Sequence, residues 1–222
     1  MSGASAATRI TMSEPAHTRT GLFVAIEGGD GAGKSRLQAA LAGRLAGRAE
    51  IVLTREPGGT PLGEQIRSLL LAQRSLAGPL AELLLFEAAR AHLVATVIRP
   101  ALERGAIVIC DRFTASSVAY QGFGRGLGRA IVERANALAT GDTSPDLTLL
   151  LDLPVEAGLA RRAGDGGTNH FDNETVAFHE RVRAGYRELA LASGSWCVID
   201  ATQPFDAVLA AAIAAIGPLL AR

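Results

Sequence analysis

The segment Gly28-Gly29-Asp30-Gly31-Ala32-Gly33-Lys34-Ser35 constrains this chain more than any other stretch. It satisfies the pattern G-x-x-x-x-G-K-[ST]. It also follows an apolar run, Leu22-Phe23-Val24-Ala25-Ile26, and opens a helical pattern from Lys34 to Leu45. Strand, glycine-rich turn and helix in that order are the context the motif requires. Glycines let backbone N–H groups turn inward around an anion, and the helix N-terminus adds partial positive charge. Lys34 supplies a point charge to the outer phosphates, and the Ser35 hydroxyl can ligate Mg2+. All eight residues therefore read as a cradle for nucleotide phosphates. The motif by itself does not separate a kinase from a GTPase.

Four further apolar runs repeat the strand pattern: Ile51–Thr54, Ala106–Cys110, Leu147–Leu151 and Trp196–Ile199. Helical stretches separate them, including Leu62–Leu71 and a long one from Leu80 to Glu103 that Pro100 should kink. Fully apolar strands alternating with helices imply a parallel sheet covered on both faces. The expected architecture is α/β: a P-loop NTPase fold with five parallel strands in a single domain over residues 21–222. Ligands in such folds bind beyond the C-terminal strand ends. That singles out the polar tripeptides Glu27-Gly28-Gly29, Arg55-Glu56-Pro57, Asp111-Arg112-Phe113 and Asp152-Leu153-Pro154. The polar, glycine-rich Ala163–Asn169 joins two helices and reads as a mobile lid, at about 161–173.

Bulk properties narrow the partners. Lys plus Arg and Asp plus Glu both number 22, so the formal net charge is zero. This argues against duplex DNA or an anionic membrane surface as a partner. No run of eighteen apolar residues exists; the Ala-rich tail from Ala207 to Leu220 is interrupted by Gly217 and Pro218. Residues 1–20 lack an apolar run and read as a disordered start, neither secretory signal nor anchor. Cys110 and Cys197 lie in apolar runs and read as buried thiols, which suits a reducing cytoplasm.

The chain has no Asn-Lys-x-Asp, and Asp111-Arg112 stands after the third run where a GTPase would carry Asp-x-x-Gly. An arginine there suits a second, phosphorylated substrate, because a guanidinium fork matches a phosphate dianion. Arg55, Arg67, Arg90 and Arg112 all fall where strand ends and adjoining helices converge. Phe86 and Arg90, four residues apart, share a helix face. They could stack a base and bond its edge; a core Phe beside a surface Arg is an equally good reading of the spacing.

Several segments together resemble the bacterial thymidylate kinase family. They are Glu27–Ser35, Thr54-Arg55-Glu56-Pro57-Gly58-Gly59-Thr60, Ile66–Leu70, Leu85–Arg90, Asp111-Arg112-Phe113, Ser116-Ser117-Val118-Ala119-Tyr120-Gln121-Gly122, Pro145–Thr148 and Ile199-Asp200-Ala201. The likeness spans about residues 21 to 205. It implies transfer of the γ-phosphoryl of ATP to dTMP, with Mg2+, in a cytoplasmic homodimer. It also implies residue roles. Asp30 would contact the sugar 3′-hydroxyl, Phe86 would stack on thymine and Arg90 would donate to its O4. Ser117 would meet the pyrimidine edge, Tyr120 would crowd the 2′ position, Gln121 would border the same pocket, and Pro57 would line the base slot. Arg67 and Arg112 would hold the dTMP phosphate, and Asp111 would help organise Mg2+ beside Ser35. The alternatives are a kinase for another pyrimidine nucleoside monophosphate, or a catalytically weak nucleotide-binding paralogue.

The chain departs from the family at one position. An arginine over the transferring phosphoryl sits either in the phosphate loop or in the lid. The loop position here holds Gly31, and the lid motif reads Asn169-His170-Phe171-Asp172, with His170 where arginine is expected. Three readings stand: Arg161 or Arg162 swings over the phosphates, His170 serves when protonated, or turnover is slow.

Overall fold

A computed structural model of the chain describes residues 20–71, 78–164, 171 and 174–221. The expected disordered start, apart from Thr20, lies outside the described residues, as does most of the lid, including His170.

Five strands, β1 (Leu22–Gly28), β2 (Ile51–Arg55), β3 (Ile107–Asp111), β4 (Leu147–Asp152) and β5 (Trp196–Asp200), form one sheet in the order β2-β3-β1-β4-β5. All four pairings are parallel. Period-two alternation divides the strand side chains between two cores. Val24, Ile26, Ile107 and Ile109 face α1 (Lys34–Leu45), through Leu37, Leu41 and Leu45, and α9 (Phe205–Ile216). Phe23, Ala25, Val108 and Cys110 face the opposite layer, through Leu93, Ile98 and Leu102.

The long helical stretch after Leu80 is three pieces: α3 (Pro79–Leu93), a π-helical segment Val94–Ile98, and α4 (Arg99–Glu103). Pro100 lies at the start of α4. It has no N–H to donate, so the register loosens just before it, as expected for a proline inside a helix. A second π segment, Val118–Gly124, follows the short helix α5 (Thr114–Ser117). The remaining helices are α2 (Pro61–Leu70), α6 (Arg129–Thr140), α7 (Val155–Gly164) and α8 (Val176–Leu191). α2 begins on Thr60, whose hydroxyl accepts from Gly63 N at 2.9 Å, with Pro61 in its first turn.

Register sets the position of the site. Asp111 of β3 pairs with both Ile26 of β1 and Arg55 of β2. The segments after these three strands therefore leave the sheet side by side, at its C-terminal edge. The turn after β1 is also pressed against α7. Gly31 has φ +73°, and a Cβ there would lie 2.2 Å from the Gly158 carbonyl oxygen; a Cβ on Gly158 would lie 2.4 Å from that of Asp30. Only paired glycines allow this approach of two backbones.

Candidate active site

A cleft of about 410 Å3 opens over the aligned strand ends. Its walls bring together Gly31, Gly33, Lys34 and Ser35 of the phosphate loop with Pro57, Arg67, Phe86, Asp111, Arg112, Ser117, Tyr120 and Gln121. Anion cradle and acceptor residues, assigned from distant parts of the sequence, thus face one space.

Arg112 is the centre of this arrangement. It has φ +69°, the sole non-glycine residue in the left-handed region among the described residues. Its Nη2 donates to Asp30 Oδ1 at 2.8 Å and to the Tyr120 hydroxyl at 3.2 Å. Its Nη1 donates to the Gly28 carbonyl and to the Ser116 and Tyr186 hydroxyls. Tyr120 in turn donates to Asp30 Oδ2 at 2.9 Å. Burial pushes the Asp30 carboxyl up, but Arg112, Lys34, the Tyr120 hydroxyl and His179 together hold it below the usual aspartate range.

Beneath this pair lies Glu27, fully buried. Its carboxylate accepts from Phe113 N at 2.8 Å, Ser116 Oγ at 2.6 Å and the Tyr186 hydroxyl at 3.0 Å. It ties the end of β1 to the turn after β3 and to α8. Burial raises its pKa despite these bonds. Sequence reasoning gave Glu27 no role; the available signal was a carboxylate at the end of an otherwise apolar strand.

In the phosphate loop, Lys34 Nζ donates to the carbonyls of Gly28 at 3.1 Å and Gly29 at 2.8 Å. Burial and the charge of Arg112 pull its ammonium down to about 8, against the opposing pull of Asp111, Asp30 and Glu27. Ser35 Oγ donates to Asp111 Oδ2 at 2.6 Å. A hydroxyl and a carboxylate so close supply the hard oxygen donors Mg2+ requires, and Mg2+ commonly takes few protein ligands beside phosphate oxygens and water.

Other assigned residues fall differently. Arg90 is 1% exposed and is not on the cleft wall. Its Nε and Nη2 reach Glu56 Oε2 at 2.8 and 2.6 Å, its Nη1 reaches Glu87 Oε1 and Asn136 Oδ1 at 2.5 and 2.6 Å, and its Nη2 also donates to the Phe113 carbonyl. Burial alone would lower its pKa, but Glu56 and Glu87 more than offset that and hold the guanidinium charged. Neither spacing-based reading of Arg90 anticipated a buried arginine. Arg55 pairs with the exposed Glu64 at 3.0 Å, and Arg67 donates to the Pro57 carbonyl at 2.9 Å. Ser117 Oγ is buried without a hydrogen-bond partner on the cleft wall. The Gln121 amide donates to the buried Glu82 at 2.9 Å.

Arg161 and Arg162, the two lid-base candidates, separate clearly. Both Nη atoms of Arg161 donate to the Ala201 carbonyl at 3.2 Å, beyond the end of β5. Arg162 lines the cleft. It sits four residues after Gly158, on the face of α7 that meets the phosphate loop. Two more residues were given no role in the sequence reading, Phe171 being quoted there only as part of the lid motif. Phe171 lines the cleft and packs near Phe86 and Tyr120, with ring centroids 6.2 and 5.7 Å away. Arg125 pairs with Glu82 and Glu174 and lies over the Phe171 and Phe178 rings, fastening the segment that carries Phe171.

Comparison with known proteins agrees with this geometry. The family model described as thymidylate kinase matches residues 26–212. A thymidylate kinase of Thermosynechococcus vestitus is 49% identical over 210 residues, covering 89% of this chain and 87% of that protein. One from Pseudomonas fluorescens is 50% identical over 206 residues, covering 91% and 98%. The crystal structure of thymidylate kinase from Ehrlichia chaffeensis superposes with a TM-score of 0.68 at 35% identity, over 81% of this chain and 92% of that one. A glycine-rich loop with Lys34 and Ser35, arginines on the wall of the same cleft and this degree of likeness lead to one assignment: the chain belongs to the thymidylate kinase family.

Proposed function

We propose that this chain transfers the γ-phosphoryl of ATP to dTMP, giving ADP and dTDP. The observation that carries the reading is the shared cleft, in which Lys34 and Ser35 face Arg112, Tyr120 and Phe86. Phosphoryl transfer is positioning plus charge neutralisation, so both phosphates must meet among cations. Backbone amides of Gly31 to Ser35 and the Lys34 ammonium would hold the donor phosphates. Arg112 and Arg67 would hold the acceptor phosphate. Mg2+, held by Ser35 and through water by Asp111, would neutralise donor charge. Asp30, placed by Arg112 and Tyr120, would accept from the sugar 3′-hydroxyl.

Phe86 would stack on the base, with Pro57 along the slot. Ser117 Oγ is left for the pyrimidine edge because no protein group takes it. Arg90 would brace the base slot from beneath the wall and not donate to O4, because Glu56, Glu87, Asn136 and the Phe113 carbonyl take its N–H groups. The Tyr120 ring would exclude a 2′-hydroxyl. A second copy of the chain is the partner we infer for α2 and α3, where Leu62, Leu69, Leu80 and Leu84 are each 44–55% exposed. Among the described residues no helix is long and apolar enough to cross a membrane, and the two cysteines are free. Free thiols support a cytoplasmic location.

A coupled assay over deoxy- and ribonucleoside monophosphates tests the reading. dTMP should give the highest kcat/KM. dUMP should be roughly tenfold poorer, since one methyl contact distinguishes it. CMP turnover equal to that of dTMP would refute the assignment.

The position of Arg162 predicts which arginine serves the transferring group. Arg162→Ala should lower kcat by about a hundredfold or more with little change in the dTMP KM. Arg161→Ala should leave kcat within a few-fold. Equal effects would show that the face of α7 does not decide the matter.

Lys34 predicts a pH dependence. The free protein loses the Lys34 proton as pH rises through about 8. Bound phosphates favour the ammonium, so binding above that pH takes up a proton. ATP affinity should weaken above pH 8 by up to about tenfold per unit. Calorimetry in buffers of different ionisation enthalpy should record the uptake, and Lys34→Met should abolish it. A heat independent of buffer would contradict the account.

A further inference from the structure

Against the phosphate loop lies a second and much smaller pocket of about 30 Å3, which shares Asp30 with the cleft. Its walls include Gly29, Asp30, Gly158, His179, Arg183 and Tyr186. Three of its polar side chains are committed elsewhere. Arg183 holds Asp152 through two bonds, at 2.8 and 3.1 Å. The Tyr186 hydroxyl donates to Glu27 and meets Ser116 Oγ at 2.7 Å. Asp30 uses both carboxylate oxygens on Arg112 and Tyr120.

His179 is the exception. It sits on α8, 6% exposed, and its Nε2 is buried with no hydrogen-bond partner. A buried polar atom left unsatisfied is costly, and most such atoms in folded proteins find protein or water. The phenyl ring of Phe178 packs edge-on against the imidazole at 5.4 Å and offers no polar atom. A space of this size admits a water molecule, provided that polar partners surround it. An oxygen of the Asp30 carboxylate can accept a second bond, and Asp30 and His179 line the same pocket.

We propose that His179 is a positioning residue for the acceptor nucleoside, acting through one buried water on Asp30. The role rests on the dTMP reading above, in which Asp30 meets the 3′-hydroxyl. The carboxylate is then held on two sides. Arg112 and Tyr120 fix it from the cleft, and the His179-bound water fixes it from behind. Removing the rear support leaves the backbone of the loop and the Arg112 pair in place but loosens the carboxylate itself. The cost falls on the sugar contact and not on the donor phosphates.

The test compares dTMP with its 3′-deoxy analogue in the unsubstituted protein, His179→Phe and His179→Gln. His179→Phe should raise the dTMP KM by about tenfold and leave the ATP KM unchanged. The KM for the 3′-deoxy analogue, which cannot bond Asp30, should hardly move. His179→Gln retains a polar amide and should recover most of the loss. Equal KM changes for both acceptors, or no change for either, would overturn the proposal. Independently of whether the variants fold, a high-resolution crystal structure of the unsubstituted protein should show one water between His179 Nε2 and Asp30, and a dry pocket would overturn it. Should dTMP itself fail as a substrate of the unsubstituted protein, the functional reading fails before any variant is made, so the two failures are distinguishable.

Discussion

The pairing of Arg112 with Asp30 organises everything else in this molecule. It links the turn after β3 to the turn after β1 through a 2.8 Å ion pair whose side chains are about four-fifths buried. A pair so shielded from water is costly to assemble and worth keeping only when its geometry is fixed from several directions. Here it is fixed by the Tyr120 hydroxyl, the Gly28 carbonyl, Ser116 and Tyr186. Glu27, beneath it, ties down Phe113, Ser116 and Tyr186. Arg112 adopts a left-handed backbone conformation to reach these partners. Such strain persists only where surroundings over-determine it, and it concentrates at sites of chemistry.

The same logic recurs in the surrounding shell. Several charged groups near the cleft are buried against partners that fix them. Arg90 carries Glu56, Glu87 and Asn136 beneath the base slot. Glu82 holds both Gln121 and Arg125, and Arg125 fastens Glu174 and overlies Phe171. Positioned charge accelerates phosphoryl transfer because it need not reorganise when the transition state forms. The chain as a whole has no formal net charge, so the site depends on this local placement and not on a general positive surface.

Much of the fold was legible because its three central strands are buried on both faces and all five read as apolar runs. Each observed strand nevertheless extends one or two residues past its run, into Gly28, Arg55, Asp111, Asp152 and Asp200. The ladder continues there because side chains such as Asp111 and Asp152 find partners at the sheet edge. The phosphate loop was legible because its chemistry is local. Arg90 was not: a spacing of four places Phe86 and Arg90 on one face without saying whether that face meets solvent, cleft or buried carboxylates. Adjacent arginines posed the same difficulty. Arg161 and Arg162 differ by one helical step, and the close packing of Gly31 on Gly158 distinguishes Arg162, on the cleft wall, from Arg161, on the Ala201 carbonyl. Glu27 and Phe171 stood in segments singled out from the sequence but were given no role, and His179 was not singled out, because the residues they meet lie far off in sequence, at Tyr186 and Phe86 for the first two and around the Asp30 pocket for the third.

The central claim is that donor and acceptor anions meet in one cleft whose acceptor wall hangs on Arg112. Calorimetric titration with adenosine and thymidine joined through a polyphosphate bridge tests it most directly. The account predicts that this single molecule binds far more tightly than ATP or dTMP alone, and that Arg112→Ala removes most of that advantage over ATP measured in the same variant. A bridged molecule that binds no more tightly than ATP, or an Arg112→Ala protein that retains the full advantage, would contradict it.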